Sequence, residues 1–173
     1  LTRVQIPLPA LIIMTTIATL CYIIKDNKIL LVKKKRGLGV GVWNGPGGKV
    51  SNENISFAAS RETYEEVRIV PAEIKKVGEL EFYFGQENEV DWCVHVFVTD
   101  EFDGIERETE VAVPKWFKID RIPYGEMWPD DIIWMPLMIA GKKFHARFYF
   151  DKEAKNLLKH EVKELSVDAL ASD

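Results

Sequence analysis

Residues 47–69 read GGKVSNENISFAASRETYEEVRI, and the fold is decided here. From Asn54 to Val67 the residue types favour a helix. On it Glu62, Glu65 and Glu66 stand at i, i+3 and i+4, within an arc roughly 100° wide. Ala59, Thr63 and Val67 share the adjoining arc and are expected to face the core, and the small Ala58 and Ala59 let the helix approach a neighbour closely. Crowded carboxylates repel one another and call for a hard cation, for which all-oxygen ligands suit Mg²⁺ or Mn²⁺. An isolated E-x-x-E-E is most often a solvated acidic face, so the neighbouring sequence has to decide.

Upstream, six of the eleven glycines fall between Gly37 and Gly48, which predicts a loop with unusual backbone demands. Before it, Ile17 to Ile24 reads as a buried strand, Asp26-Asn27 as a tight turn and Lys28 to Lys34 as a second strand. Downstream, alternation at Leu80, Phe82 and Phe84, and at Trp92, Val94, Val96 and Val98, predicts strands, with another over Pro114 to Ile119. Ile132 to Ala140 reads as a helix closed by Gly141, and Phe144, Ala146, Phe148 and Phe150 alternate on a late strand. In the tail, Asp151 to Leu165, the residue types favour helix although the apolar spacing is weak. The sum is an α+β domain with helices laid on sheet.

At 173 residues the chain is one ordinary domain. A net charge of -4 argues against a partner of long nucleic acid. Cys21 and Cys93 form no C-x-x-C pair, which suits a reducing, cytoplasmic setting. Residues 6–24 carry no charge, yet Pro7, Pro9 and three threonines argue against a membrane span. The better division is at Met14: residues 1–13 are read as an extension of unknown role, Met14 as a candidate natural start, and 14–173 as the domain.

With Gly47 and Glu53 ahead of Arg61-Glu62 and Glu65-Glu66, the segment resembles the Nudix box, G-x5-E-x7-R-E-U-x-E-E-x-G-U, where U is aliphatic. Two positions depart from it. Thr63 stands where an aliphatic residue is usual, with a hydroxyl able to bond back to the Ala59 carbonyl. Arg68 stands where glycine is usual, at a left-handed cap where a side chain costs about 1 kcal/mol. The resemblance implies an α/β/α sandwich with a mixed sheet and a loop–helix–loop that binds Mg²⁺, or Mn²⁺, and a diphosphate-containing substrate. It implies Glu62, Glu65 and Glu66 as catalytic metal ligands, the Gly47 carbonyl as a further ligand, and a structural Glu53–Arg61 pair. Glu108 and Glu110 are candidates for an additional acidic group.

The box alone does not choose a substrate. KKKRGLGVGVWNGPGGK (33–49), MWPDD (127–131) and KKFHARFYF (142–150) resemble the oxidised-purine nucleoside triphosphatases of that family. That likeness implies a base pocket of Asn44, Trp128, Asp130 and Asp131, with Thr19, Lys34, Lys49 and Phe82 near the substrate. The chemistry suits a purine. Trp128 offers a stacking face, the Asn44 amide donates and accepts, and adjacent buried carboxyls hold a shared proton. Asp130 or Asp131 could instead cap the following helix. Leu38 replaces an aromatic common at this pocket wall, while Phe82, Phe84 and Trp134 are either cleft or core. The expected reaction is hydrolysis of an oxidised purine nucleoside triphosphate such as 8-oxo-dGTP, by a monomer without membrane partners. A broader nucleotide or nucleoside-diphosphate hydrolase, or a silent nucleotide-binding module, is the alternative. Val50 after Gly48-Lys49 excludes a Walker A loop, and the dispersed His95, His145 and His160 give no zinc spacing.

Overall fold

The computed structural model describes residues 14–170, so the extension assigned to residues 1–13 lies outside the described residues. A hairpin opens the fold: β1 (Thr16–Lys25) and β2 (Lys28–Lys34) join through Asp26 and Asn27, whose φ values of 50° and 60° suit a primed two-residue turn. Then follow β3 (Trp43–Asn44), β4 (Gly47–Lys49), α1 (Ile55–Val67), β5 (Val70–Ala72), β6 (Lys75–Phe84), β7 (Trp92–Thr99), β8 (Glu101–Asp103) and β9 (Ala112–Lys118). The chain ends with α2 (Asp131–Ile139), β10 (Lys143–Phe150) and β11 (Leu157–Leu165).

Among the described residues the main sheet runs β11-β10-β6-β7-β1-β2-β3, with β4 paired to β1 and β9 to β2. β1 is parallel to β7 and β10 to β6, while the other pairings are antiparallel, so the sheet is mixed. Each face carries one helix, as expected for a sandwich. On one, Ala59 of α1 packs with Cys21 and Phe97. On the other, Trp134, Met135 and Met138 of α2 pack with Tyr22, Phe144 and Phe148. Side chains of this size contribute about 1.5–3 kcal/mol each when fully buried.

The tail departs from the helix that its residue types favour: β11 is an edge strand paired antiparallel to β10. Most of it is exposed on both faces and carries Lys159, Glu161, Lys163 and Glu164, charges that keep an edge from pairing further. An edge strand with no buried face has no apolar alternation to read. α2 begins at Asp131, one residue earlier than expected, and Trp134 lies wholly in the core. No helix among the described residues is long and apolar enough to cross a membrane.

Candidate active site

Asn54 caps α1, its side-chain oxygen accepting from the Ser56 N–H at 2.9 Å. At the other end Arg68 adopts a left-handed φ of 65° and donates its N–H to the Tyr64 carbonyl, closing the helix without glycine. The Thr63 hydroxyl donates to the Ala59 carbonyl at 2.8 Å, so the unusual core hydroxyl is satisfied.

Arg61 grips Glu53 with two nitrogens, Nε lying 3.0 Å from Oε2. This fork fastens the loop before α1 to the helix and holds the Glu53 carboxyl below the usual range. Arg61 also donates to Glu62 at 2.8 Å, to Glu65 at 3.1 Å and to the Lys49 carbonyl at 3.3 Å. One guanidinium therefore sets three carboxylates and the end of β4.

The three acids are not equivalent. The Glu66 side chain is 7% exposed and that of Glu65 is 53% exposed. Burial pushes the Glu66 carboxyl above its ordinary value, partly offset by Lys34 and by the Gly47 N–H that donates to it at 3.1 Å. Glu62 lies against Gly48: a Cβ there would fall 2.4 Å from the Glu62 carboxylate and push it from its place, so glycine leaves room for this carboxylate against the loop.

The donor set fits a hard divalent cation. Lys34 Nζ lies 3.0 Å from Glu66 Oε1 and 3.2 Å from the Gly47 carbonyl oxygen, so positive charge already bridges two of the expected ligand atoms. Among the described residues, however, no three acidic, histidine or cysteine side chains form a metal-holding group by themselves. Arg61 Nη1 holds Glu62 and Glu65 side by side while Lys34 holds Glu66, so the three acids are divided between two cations. Such a partial set is what Mg²⁺ accepts when substrate phosphates complete its shell.

Beside these acids a cleft of about 570 Å³ opens between β1, β6, β7 and the segment before α2. Thr19, Lys34, Asn44, Lys49, Phe82, Trp128, Asp130 and Asp131 all line it, so the eight residues nominated from the sequence meet in one cleft. Asp130 and Asp131 are 3% and 2% exposed. Asp130 Oδ2 accepts from Trp134 Nε1 at 3.1 Å, and Asp131 Oδ2 accepts from the Trp128 N–H at 3.0 Å. Asp130 sits at the helix-cap position without a side-chain cap bond, so neither carboxyl serves as an ordinary cap of α2. Burial raises both, and Asp130 raises Asp131 further, so the pair holds a proton well above the usual carboxylate range.

Lys34 lines this cleft and also a wider cavity that contains Glu62, Glu65, Glu66, Glu108 and Glu110. Both candidates for an additional acid thus face the α1 carboxylates, with Glu108 already paired to Lys35. Lys49 Nζ sits 5.2 Å from the Trp92 ring at the cleft wall. Alternation along β1 puts Thr19 on the face of Cys21, and its buried hydroxyl has no hydrogen-bond partner among the described residues. The sequence reading did not nominate Trp92, Phe150 or the Lys152–Ala154 turn as cleft residues. Strand alternation could have flagged the two aromatics, but nothing local marks the turn.

The NUDIX domain family model matches residues 14–138. The chain is 43% identical over 133 residues to the oxidized purine nucleoside triphosphate hydrolase of Danio rerio, covering 76% of this chain and 85% of that protein. It is 39% identical over 149 residues to the Mus musculus protein of that name, covering 85% and 94%. Among solved structures, the mutator MutT protein from Bacillus halodurans superposes with a TM-score of 0.74 at 22% identity, covering 85% of this chain and 97% of that one, a likeness of fold. The MutT NUDIX hydrolase from Burkholderia pseudomallei gives a TM-score of 0.58 at 29% identity, covering 64% and 88%.

Proposed function

The chain belongs to the NUDIX family, and from that premise we propose that it hydrolyses oxidised purine nucleoside triphosphates to the monophosphate and pyrophosphate with Mg²⁺. The observation that carries this reading is the joining of two sites. A buried, proton-holding carboxyl pair lies in an aromatic cleft, and Lys34 connects that cleft to the α1 acids. The curated relatives, which carry the name of this activity, support it.

Gly47 O and Glu66, with Glu62 and Glu65 beside them, would hold the metal, which supplies a Lewis acid and lowers the pKa of bound water. The remaining chemistry is the chain's own. Lys34 and Lys49 set positive charge along the path of the polyphosphate. Arg61 keeps Glu62 and Glu65 oriented through its grip on Glu53. A carboxylate on α1 accepts a proton as water attacks phosphorus, and the bond to the bridging oxygen breaks to release pyrophosphate.

In the cleft, Trp128 stacks on the base. The Asp130–Asp131 pair presents one carboxyl that donates and one that accepts, as the N1/O6 edge of a guanine requires. Exchange of that proton lets the same pair accept an oxidised adenine. Asn44→Ala and Asp130→Ala are therefore expected to change the preference between 8-oxo-dGTP and an oxidised dATP while leaving the Mg²⁺ dependence of turnover in place. The check is steady-state kinetics on both nucleotides across a Mg²⁺ titration, and unchanged selectivity in both variants would defeat the pocket assignment.

A further inference from the structure

Asn44 could in principle turn either end of its amide to a ligand, but its neighbours leave one choice. The Gly45 N–H donates to Asn44 Oδ1 at 2.8 Å, and a backbone N–H can face only an acceptor. The Tyr22 hydroxyl donates to the same oxygen at 3.2 Å. Asn44 Nδ2 makes no hydrogen bond among the described residues, and Asn44 lines the cleft.

Tyr22 is fully buried, with its ring 5.8 Å from that of Trp134, and Trp134 in turn donates to Asp130. Gly45 gives the phenol its room: a Cβ there would fall 2.6 Å from Tyr22 Cζ. The two base-reading elements, Asn44 and the carboxyl pair, are therefore tied through one core contact.

We infer that Tyr22 is a positioning residue for base recognition, locking Asn44 as a hydrogen-bond donor into the cleft so that the site selects a purine edge with an acceptor facing it. The inference rests on the base-cleft reading above. Burial, and then the charge of Asp131, raise the Tyr22 hydroxyl well above its ordinary value, so it stays protonated and remains a donor at every pH of interest.

The test is a double-mutant cycle read by KM for 8-oxo-dGTP, with thermal unfolding as the fold control. Tyr22→Phe keeps the ring and its packing. It is expected to raise KM about threefold to tenfold, the effect of one neutral hydrogen bond, with kcat within about twofold of wild type. In the Asn44→Ala background the same change should add less than about 1.5-fold, since its target is gone. Gly45→Ala, which crowds the phenol from the other side, should raise KM in the same direction. An unchanged KM in Tyr22→Phe, or an effect equally large without Asn44, overturns the inference and leaves the cleft reading standing. An unchanged KM in Asn44→Ala overturns both.

Discussion

Glu66 shows how one residue's surroundings prepare it for chemistry. It is buried, receives the Gly47 N–H and faces the Lys34 ammonium, while desolvation keeps its carboxyl more basic than usual. Glu66→Gln preserves size and one acceptor but removes the charge that a divalent cation needs. Turnover is expected to fall about 100-fold or more, with the unfolding temperature shifted by only a few degrees. Mg²⁺-dependent pyrophosphate release and thermal unfolding of the variant check this, and a wild-type rate at matched Mg²⁺ would refute the assignment. The carboxylate spacing was legible because helical periodicity fixes which side chains share a face. Their differing burial was not, because it depends on where β2 and the glycine loop lie against α1.

At the scale of elements, α1 shows what a departure from the family pattern costs. Arg68 holds a left-handed φ of 65°, and its guanidinium lies 5.3 Å from the Tyr64 ring, a contact that offsets part of the strain. Arg68→Gly is expected to stabilise the protein by about 0.5–1 kcal/mol. Urea unfolding measures this, and a lower midpoint for the variant would show that the ring contact outweighs the strain. The cap and the Thr63 back-bond could be read from sequence because both are local. β11 could not. As an edge strand exposed on both sides, it owes its conformation to the backbone of β10 rather than to any pattern of its own. Asp130 and Asp131 left two readings open, pocket or helix cap: Asp after Pro is a good cap signal, yet Trp134 and the Trp128 N–H claim the two carboxyls and both aspartates line the cleft.

Over the whole molecule, the mixed sheet separates two tasks. α1 brings acids to one side, α2 brings the carboxyl pair to the other, and β1 with the glycine loop runs between them. The buried pair carries a stability cost. Between the ordinary carboxylate range and their raised native values, the folded chain binds more protons than the unfolded chain, so stability falls as pH rises through that window. Asp131→Asn removes one of the two groups, so its unfolding temperature should fall less steeply with pH than wild type. Parallel profiles would mean that the pair ionises normally. Loss of the shared proton at higher pH is likewise expected to raise KM for the oxidised purine. The acid excess, which argues against long nucleic acid, does not oppose a single metal-bound nucleotide, because three of those acids lie where cations gather.

The most direct test measures nucleoside monophosphate and pyrophosphate together from 8-oxo-dGTP, dGTP and ADP-ribose, with and without Mg²⁺. One pyrophosphate should appear for each monophosphate, only with the metal, and kcat/KM for 8-oxo-dGTP should exceed that for dGTP by about tenfold or more, the worth of one well-made base contact. Stepwise release of single phosphates, equal efficiency on dGTP, or faster cleavage of ADP-ribose would contradict the account.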